Sequence, residues 1–272
     1  MENEKSSRTN EFKGGEPTEH YIPPEKKYFS CLLIGEPGSG KTTMAATAPK
    51  PILFLDLDNK LHRMVNLEPM LASKDIIQWT TTAPLAAIPL KRLASTKFDE
   101  GRDKFPVPQP KGYIEFSDMM DKLTTDQCVV DGRKVETIVL DSYTSLNEHL
   151  KALIMAANGS MAMSLPLWGV LLRNFEILHG VMLRLPANII FCCHQKIDKD
   201  ELSGAISYRP LIDGQMADKI GKDFEEVYYL EKRIEGQLVK YEVLTVGSAM
   251  KACRTSRILP ARVEADFSRI YK

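Results

Sequence analysis

The sequence predicts an α/β fold built on a mostly parallel central sheet with antiparallel strands towards its C-terminal end, and three observations predict it. The first is Gly35-Glu36-Pro37-Gly38-Ser39-Gly40-Lys41-Thr42, which matches G-x-x-x-x-G-K-[ST] at every fixed position and continues into Thr43. The second is a series of continuous apolar runs that close on polar or acidic residues, the pattern of strands buried on both faces of a parallel sheet. The third is the alternation of apolar and polar residues after Phe224, with a turn at Glu235-Gly236, which reads as a hairpin.

Residues 1 to about 25 are polar, with Gly14-Gly15 and Pro23-Pro24, and read as a flexible tail ahead of one domain spanning 26–272. Tyr28 to Ile34 is a buried strand leading into the glycine-rich loop. Glycines there let the backbone curl with its N–H groups inward, so Gly35 to Thr43 form a phosphate cradle of the Walker A type. Lys41 reaches the β- and γ-phosphates of ATP. Thr42 opens a short helix that stops before Pro49, and its hydroxyl is a ligand for Mg²⁺.

Pro51 to Asp58 is the next strand, and its two aspartates fall at the carboxyl edge of the sheet, beside the ligand crevice. Asp56 is expected to cap the following helix, Asn59 to Leu67. Asp58 is expected to face the γ-phosphate. Ile76 to Thr80 reads as a short strand. The stretch 84–112 carries an excess of lysine and arginine, with Pro106, Pro108 and Pro110 punctuating its end, which suits an exposed loop insertion. Residues 113–126 have helical spacing, and Gly132 marks a turn.

Glu136 to Asp141 is a strand closing on an aspartate, the Walker B pattern, whose carboxylate serves the Mg²⁺ shell. Ser142 follows it, not glutamate, so a general base has to come from elsewhere, and Asp58 is the candidate. Residues 143–157 read as a helix, 158–166 as a mobile loop, and Trp168 to Leu185 as a second helix. Asn188 to Cys193 is a buried strand ending at His194-Gln195, a polar pair within reach of a γ-phosphate or an attacking water. Lys196 to Gly221 reads as a flexible polar segment. Its Lys196, Lys199, Tyr208 and Arg209 suit phosphate contact and base stacking with single-stranded DNA. Glu226 to Leu230, Leu238 to Val246 and Arg257 to Leu259 complete the predicted strands.

Composition narrows the classes. The 272 residues carry 36 basic and 36 acidic side chains and are 43% hydrophobic, so a sizeable core is available and no bulk positive field advertises nucleic acid. The five cysteines lack C-x-x-C spacing and lie mostly in apolar runs, as expected of a reducing cytoplasm without disulfides or zinc. No signal-type segment or membrane-length apolar run is present, which predicts neither secretion nor a membrane partner.

With the phosphate loop, Asp58, Asp141-Ser142 and His194-Gln195 in this order, residues 28–260 resemble the RecA-like core P-loop ATPases, and most closely the small phage-encoded RecA-like proteins of single-strand annealing and recombination. The resemblance implies a three-layer P-loop NTPase core that hydrolyses ATP with Mg²⁺ and assembles as a homo-oligomeric ring or filament. It implies work on single-stranded DNA in the cytoplasm (the host's, for a phage protein), in company with a single-strand-binding protein. By the same resemblance Asp58 takes the place of the water-activating glutamate, and Gln195 or His194 that of the γ-phosphate sensor. Segments 158–166 and 196–213 correspond to two DNA-binding loops, and Lys251, Arg254 or Arg257 to a cation offered to the neighbouring subunit. Aspartate where the family often has glutamate is a departure, shorter by one methylene. Two alternatives stand beside this reading: a nucleotide-dependent switch or loader without strong hydrolysis, and a P-loop small-molecule kinase, which needs an arginine-rich lid.

Overall fold

The computed structural model describes residues 28–82, 110–160, 162–201 and 203–271; the expected tail at 1–25 and nearly all of the 84–112 insertion lie outside the described residues. Strand β1 (Ser30–Gly35) runs into α1 (Lys41–Ala45), followed by β2 (Ile52–Asp56), α2 (Glu68–Ala72) and β3 (Ile76–Trp79). Then come α3 (Gly112–Thr125), a small hairpin of β4 (Val129–Val130) and β5 (Arg133–Lys134), β6 (Thr137–Asp141), and the long helices α4 (Tyr143–Ala157) and α5 (Leu165–Met182). Strands β7 (Asn188–Lys199) and β8 (Ile206–Pro210), α6 (Met216–Lys219), β9 (Glu226–Glu235), β10 (Leu238–Leu244), β11 (Arg262–Glu264) and α7 (Phe267–Ile270) complete the chain.

The main sheet has the order β11-β10-β9-β1-β7-β6-β2-β3, with β8 paired to β7 alone. Pairs from β9 through β1, β7, β6 and β2 to β3 are parallel, whereas β10 pairs antiparallel with both β9 and β11. The strand that feeds the phosphate loop therefore lies two places from the strand that ends at Asp141, with β7 between them. The architecture is mixed α/β, with a mostly parallel sheet and antiparallel strands at its C-terminal edge.

Alternation along the strands explains why both faces are covered. Leu32, Ile34, Leu53, Leu55, Ile138, Leu140 and Phe191 join the core under α3, α4 and α5. Their neighbours Cys31, Leu33, Ile52, Phe54, Val139, Ile190 and Cys192 join a second core with Met44 and Ala45 of α1 and Phe267 and Ile270 of α7. A strand buried on both sides has no polar face to offer, so the sequence shows unbroken apolar runs. Phe29 stacks on Tyr271 with ring centroids 3.8 Å apart, which fastens the chain's end beneath the start of β1. On the other face, buried His179 of α5 joins Asp223 (Nδ1 to Oδ2, 2.8 Å) and the Tyr143 hydroxyl of α4 (2.9 Å), so no polar atom of that ring is left unpaired in the core.

Three sequence expectations need correction. The segment after His194 is not a flexible polar stretch: β7 continues to Lys199 and pairs antiparallel with β8, from Gln195↔Pro210 to Lys199↔Ile206. Both faces of this ribbon carry polar side chains, so its alternation was hidden under its polarity; Gly204, at φ +70°, supplies the left-handed residue of the turn. Arg257 to Leu259 forms no strand, and the edge strand falls at Arg262–Glu264, beyond Pro260. Residues 59–67 form two 3₁₀ turns, Leu61–Arg63 and Val65–Leu67, instead of one helix. Asp56 does cap there: its Oδ2 accepts from the backbone N–H groups of Lys60 (2.9 Å) and Leu61 (2.8 Å).

Candidate functional site

Parallel register sets the site. Asp56 pairs with Asp141, Asp141 with Cys192, and Gly35 with His194, so the carboxyl ends of β2, β6 and β1 finish at one edge of the sheet, where β7 runs out of it at His194. The loop after β1 turns at Gly38 (φ +77°) and Gly40 (φ +94°). A side chain at Gly35 would bring Cβ within 2.5 Å of Ser39 Oγ and 2.9 Å of the Leu230 carbonyl, so glycine is required where loop and β9 touch.

Lys41 is buried, and its ammonium donates to the carbonyls of Gly35 and Glu36, each at 2.9 Å. Burial lowers its proton affinity, and nearby Asp141 partly offsets this. The Thr42 hydroxyl donates to Asp141 Oδ2 at 2.6 Å, joining the start of α1 to the end of β6. Burial raises the Asp141 carboxyl to about 6 despite that hydrogen bond, with the charge of Asp58 adding to the effect. Asp58 accepts from Lys60 Nζ at 2.8 Å and, on its other oxygen, from the Ser145 hydroxyl of α4. Burial pushes the Asp58 carboxyl up, but these hydrogen bonds outweigh it, and the group lies below its ordinary range.

His194 and Gln195 part company because successive strand residues point to opposite sides. His194 Nδ1 is 3.5 Å from Lys41 Nζ. Burial and the adjacent Lys41 lower its proton affinity, so the ring is neutral near pH 7. With Nδ1 facing an ammonium, Nε2 carries the hydrogen and is a donor. Gln195 instead donates to Glu36 Oε1 at 3.1 Å and lines a smaller hollow of about 230 Å³ on the far side of the loop.

Lys41, Thr42, Thr43, Asp58, Asp141 and His194 line one cavity of about 940 Å³, with Gly38 and Gly40. Sequence reasoning missed its other wall: Lys60, Met64 and Asn66 beyond β2, and Val239 and Tyr241 of β10. Nothing in the local pattern separates these from ordinary loop or strand residues. Only the antiparallel return of β10 brings Tyr241 against Gly40, where a side chain in place of the glycine hydrogen would sit 3.0 Å from the ring.

On the ribbon, Lys196 and Arg209 share one face and Tyr208 the other, so the four expected DNA-contact residues are divided between two surfaces. Arg209 bridges Asp198 (3.3 Å) and Asp218 (2.8 Å). Among the suggested inter-subunit cations, Lys251 is tied to Glu231 at 2.6 Å, Arg257 lies over the Tyr271 ring, and Arg254 approaches the Lys222 carbonyl at 3.4 Å.

The AAA domain family matches residues 27–255, most of the chain, including the cavity-lining residues from Pro37 to Glu242. The chain belongs to the AAA domain family. Among solved structures, this AAA domain is similar to the KaiC-like protein of the hyperthermophilic archaeon Pyrococcus horikoshii OT3, at 14% identity and a TM-score of 0.42 over 84% of this chain and 82% of that one. No curated protein matches the sequence. No helix among the described residues of the AAA domain is long and apolar enough to cross a membrane.

Proposed function

We propose that the chain is a Mg²⁺-dependent ATPase that acts on single-stranded DNA in recombination or annealing, as an oligomer. The observation that carries the ATPase reading is the Thr42–Asp141 hydrogen bond inside a cavity that also holds Lys41 and Asp58. The donor set fits Mg²⁺, a hard cation that takes one or two protein oxygens together with substrate phosphates and waters. Thr42 and Asp141 would hold it. Among the described residues, no group of three or more His, Cys, Asp or Glu side chains forms a dedicated metal cage. When bound, the ion neutralises charge on the triphosphate.

In this reading the backbone from Glu36 to Thr43 and the Lys41 ammonium grip the β- and γ-phosphates, and His194 Nε2–H donates to the γ-phosphate. Asp58 takes the proton of the attacking water. Gln195, bonded to Glu36, ties the loop to the β7–β8 ribbon, so its role is indirect. Asp58→Asn is expected to leave nucleotide affinity intact or better and to lower turnover at least about 100-fold, as expected when a general base is lost; turnover at the wild-type rate would remove Asp58 from that role.

The DNA reading rests on the ribbon, which continues the strand that carries His194. Replacing Lys196, Lys199 and Arg209 together by alanine is expected to weaken binding of a single-stranded oligonucleotide and to lower the salt slope by about 2, since each lost phosphate contact is worth about 0.7. Fluorescence anisotropy at two salt concentrations reads both, and an unchanged slope excludes the ribbon. One observation favours the switch or loader as second reading: both Asp58 oxygens are occupied, which makes it a poor base as it stands. The kinase reading has no such support, because among the described residues no arginine lines the cavity.

A further inference from the structure

Three lysines line the cavity: the phosphate loop accounts for Lys41, Lys240 of β10 is paired with Glu235 at 2.6 Å, and the third is Lys60. Lys60 is built differently from Lys41. Its backbone N–H is pinned by Asp56 Oδ2 at 2.9 Å, whereas its side chain is 63% exposed and rests on Asp58 at 2.8 Å. It lines the same space as Gly38, Lys41 and Thr42. Burial is the main reason that Lys41 and His194 hold protons less tightly than usual, and the Lys60 charge adds to it at both, as expected of a cation that lines the same cavity. The charged and titratable groups facing Asp58 are Lys60, His194, Asp141 and His149. Of these, Lys60 alone is exposed, on a flexible four-carbon stem.

We propose that Lys60 is a transferable clamp, paired with Asp58 in the nucleotide-free protein and drawn to a terminal phosphate oxygen when a nucleoside triphosphate enters the cavity. This rests on the reading of the cavity as a triphosphate site. The exchange is favourable because the triphosphate carries several negative charges against the single one of Asp58. Asp58 does not follow, since Ser145 keeps its other oxygen in place. Release exposes the carboxylate only when there is something to hydrolyse. The water oxygen then bonds to the γ-phosphorus, the bond from that phosphorus to the bridging oxygen breaks to leave ADP, and the water proton passes to Asp58 and on to solvent. The occupied state of Asp58 and its role as base are thereby reconciled: Lys60 is a positioning residue that couples the two.

The test is a binding cycle on the full chain, with Mg²⁺ and a fluorescent non-hydrolysable ATP analogue. Lys60→Met is expected to weaken binding about ten-fold, the usual scale for one charge-assisted hydrogen bond, and Lys60→Arg to recover most of it. Asp58→Asn is expected to tighten binding several-fold by freeing Lys60, and that gain disappears when Lys60→Met is also present. Unchanged affinity in Lys60→Met, or two effects that simply add, overturns the proposal. Circular dichroism checks that each variant is folded. Binding alone decides the clamp, whereas turnover of Asp58→Asn decides the base, so the two failures are separable; if neither wild type nor variants bind the analogue, the triphosphate reading itself falls.

Discussion

Lys41→Ala is expected to cut ATP turnover at least about 100-fold while leaving the fold intact. The magnitude follows from removing a charge aimed at developing negative charge in a largely desolvated site, a loss on the order of 3 kcal/mol. The fold survives because Lys41 serves no core partner. Its ammonium is held by the Gly35 and Glu36 carbonyls and approaches His194 Nδ1, and Glu36 is exposed, so water takes over where the lysine leaves. Burying an ammonium is itself costly, which Lys41's lowered proton affinity records, and alanine removes that cost. A phosphate-release assay and a thermal melt give the two halves. Wild-type turnover would mean that the loop does not grip the reacting phosphates.

Asp141→Asn is expected to stabilise the nucleotide-free protein at pH 8 and to abolish Mg²⁺-dependent turnover. The Asp141 carboxyl in the folded protein titrates near 6, above the ordinary value of 3.8, because it is buried among carboxylates. Between these two values the folded state holds more protons than the unfolded chain, so stability falls as pH rises through that window and the penalty is fully present above about 6. The size is roughly 2 kcal/mol, allowing for solvent at the cavity mouth. Asparagine keeps the acceptor for Thr42 without the charge. Urea unfolding at pH 5 and pH 8 is expected to show the variant's full advantage at pH 8 and about half of it at pH 5. An advantage independent of pH would assign it to packing instead. With Mg²⁺ and nucleotide present the order reverses, since only the carboxylate gains a cation.

Much of the fold was legible because its strands are buried on both sides, and an unbroken run such as Ile138-Val139-Leu140 has few other meanings. The P-loop was legible for a similar reason: close approach of backbone to anion leaves little freedom in side-chain choice. The β7–β8 ribbon was not, because it carries polar side chains on both faces, so its alternation has no apolar side to betray it. The far wall of the cavity was hidden for a topological reason. Tyr241 reaches Gly40 only through the antiparallel turn of β10, a contact that no local spacing records. Lys60 was passed over because a lysine beside an aspartate in a loop looks like an ordinary surface pair, and its meaning depends on the space it shares with Lys41.

The twelve residues of β7 form one unbroken strand. His194 sits at the cavity and Lys199 at the outer end of the same strand, about 17 Å further on at ordinary strand rise. Over that length a pivot of roughly five degrees at the cavity end sweeps the tip through about 1.5 Å. Mechanical advantage of this kind needs no hinge.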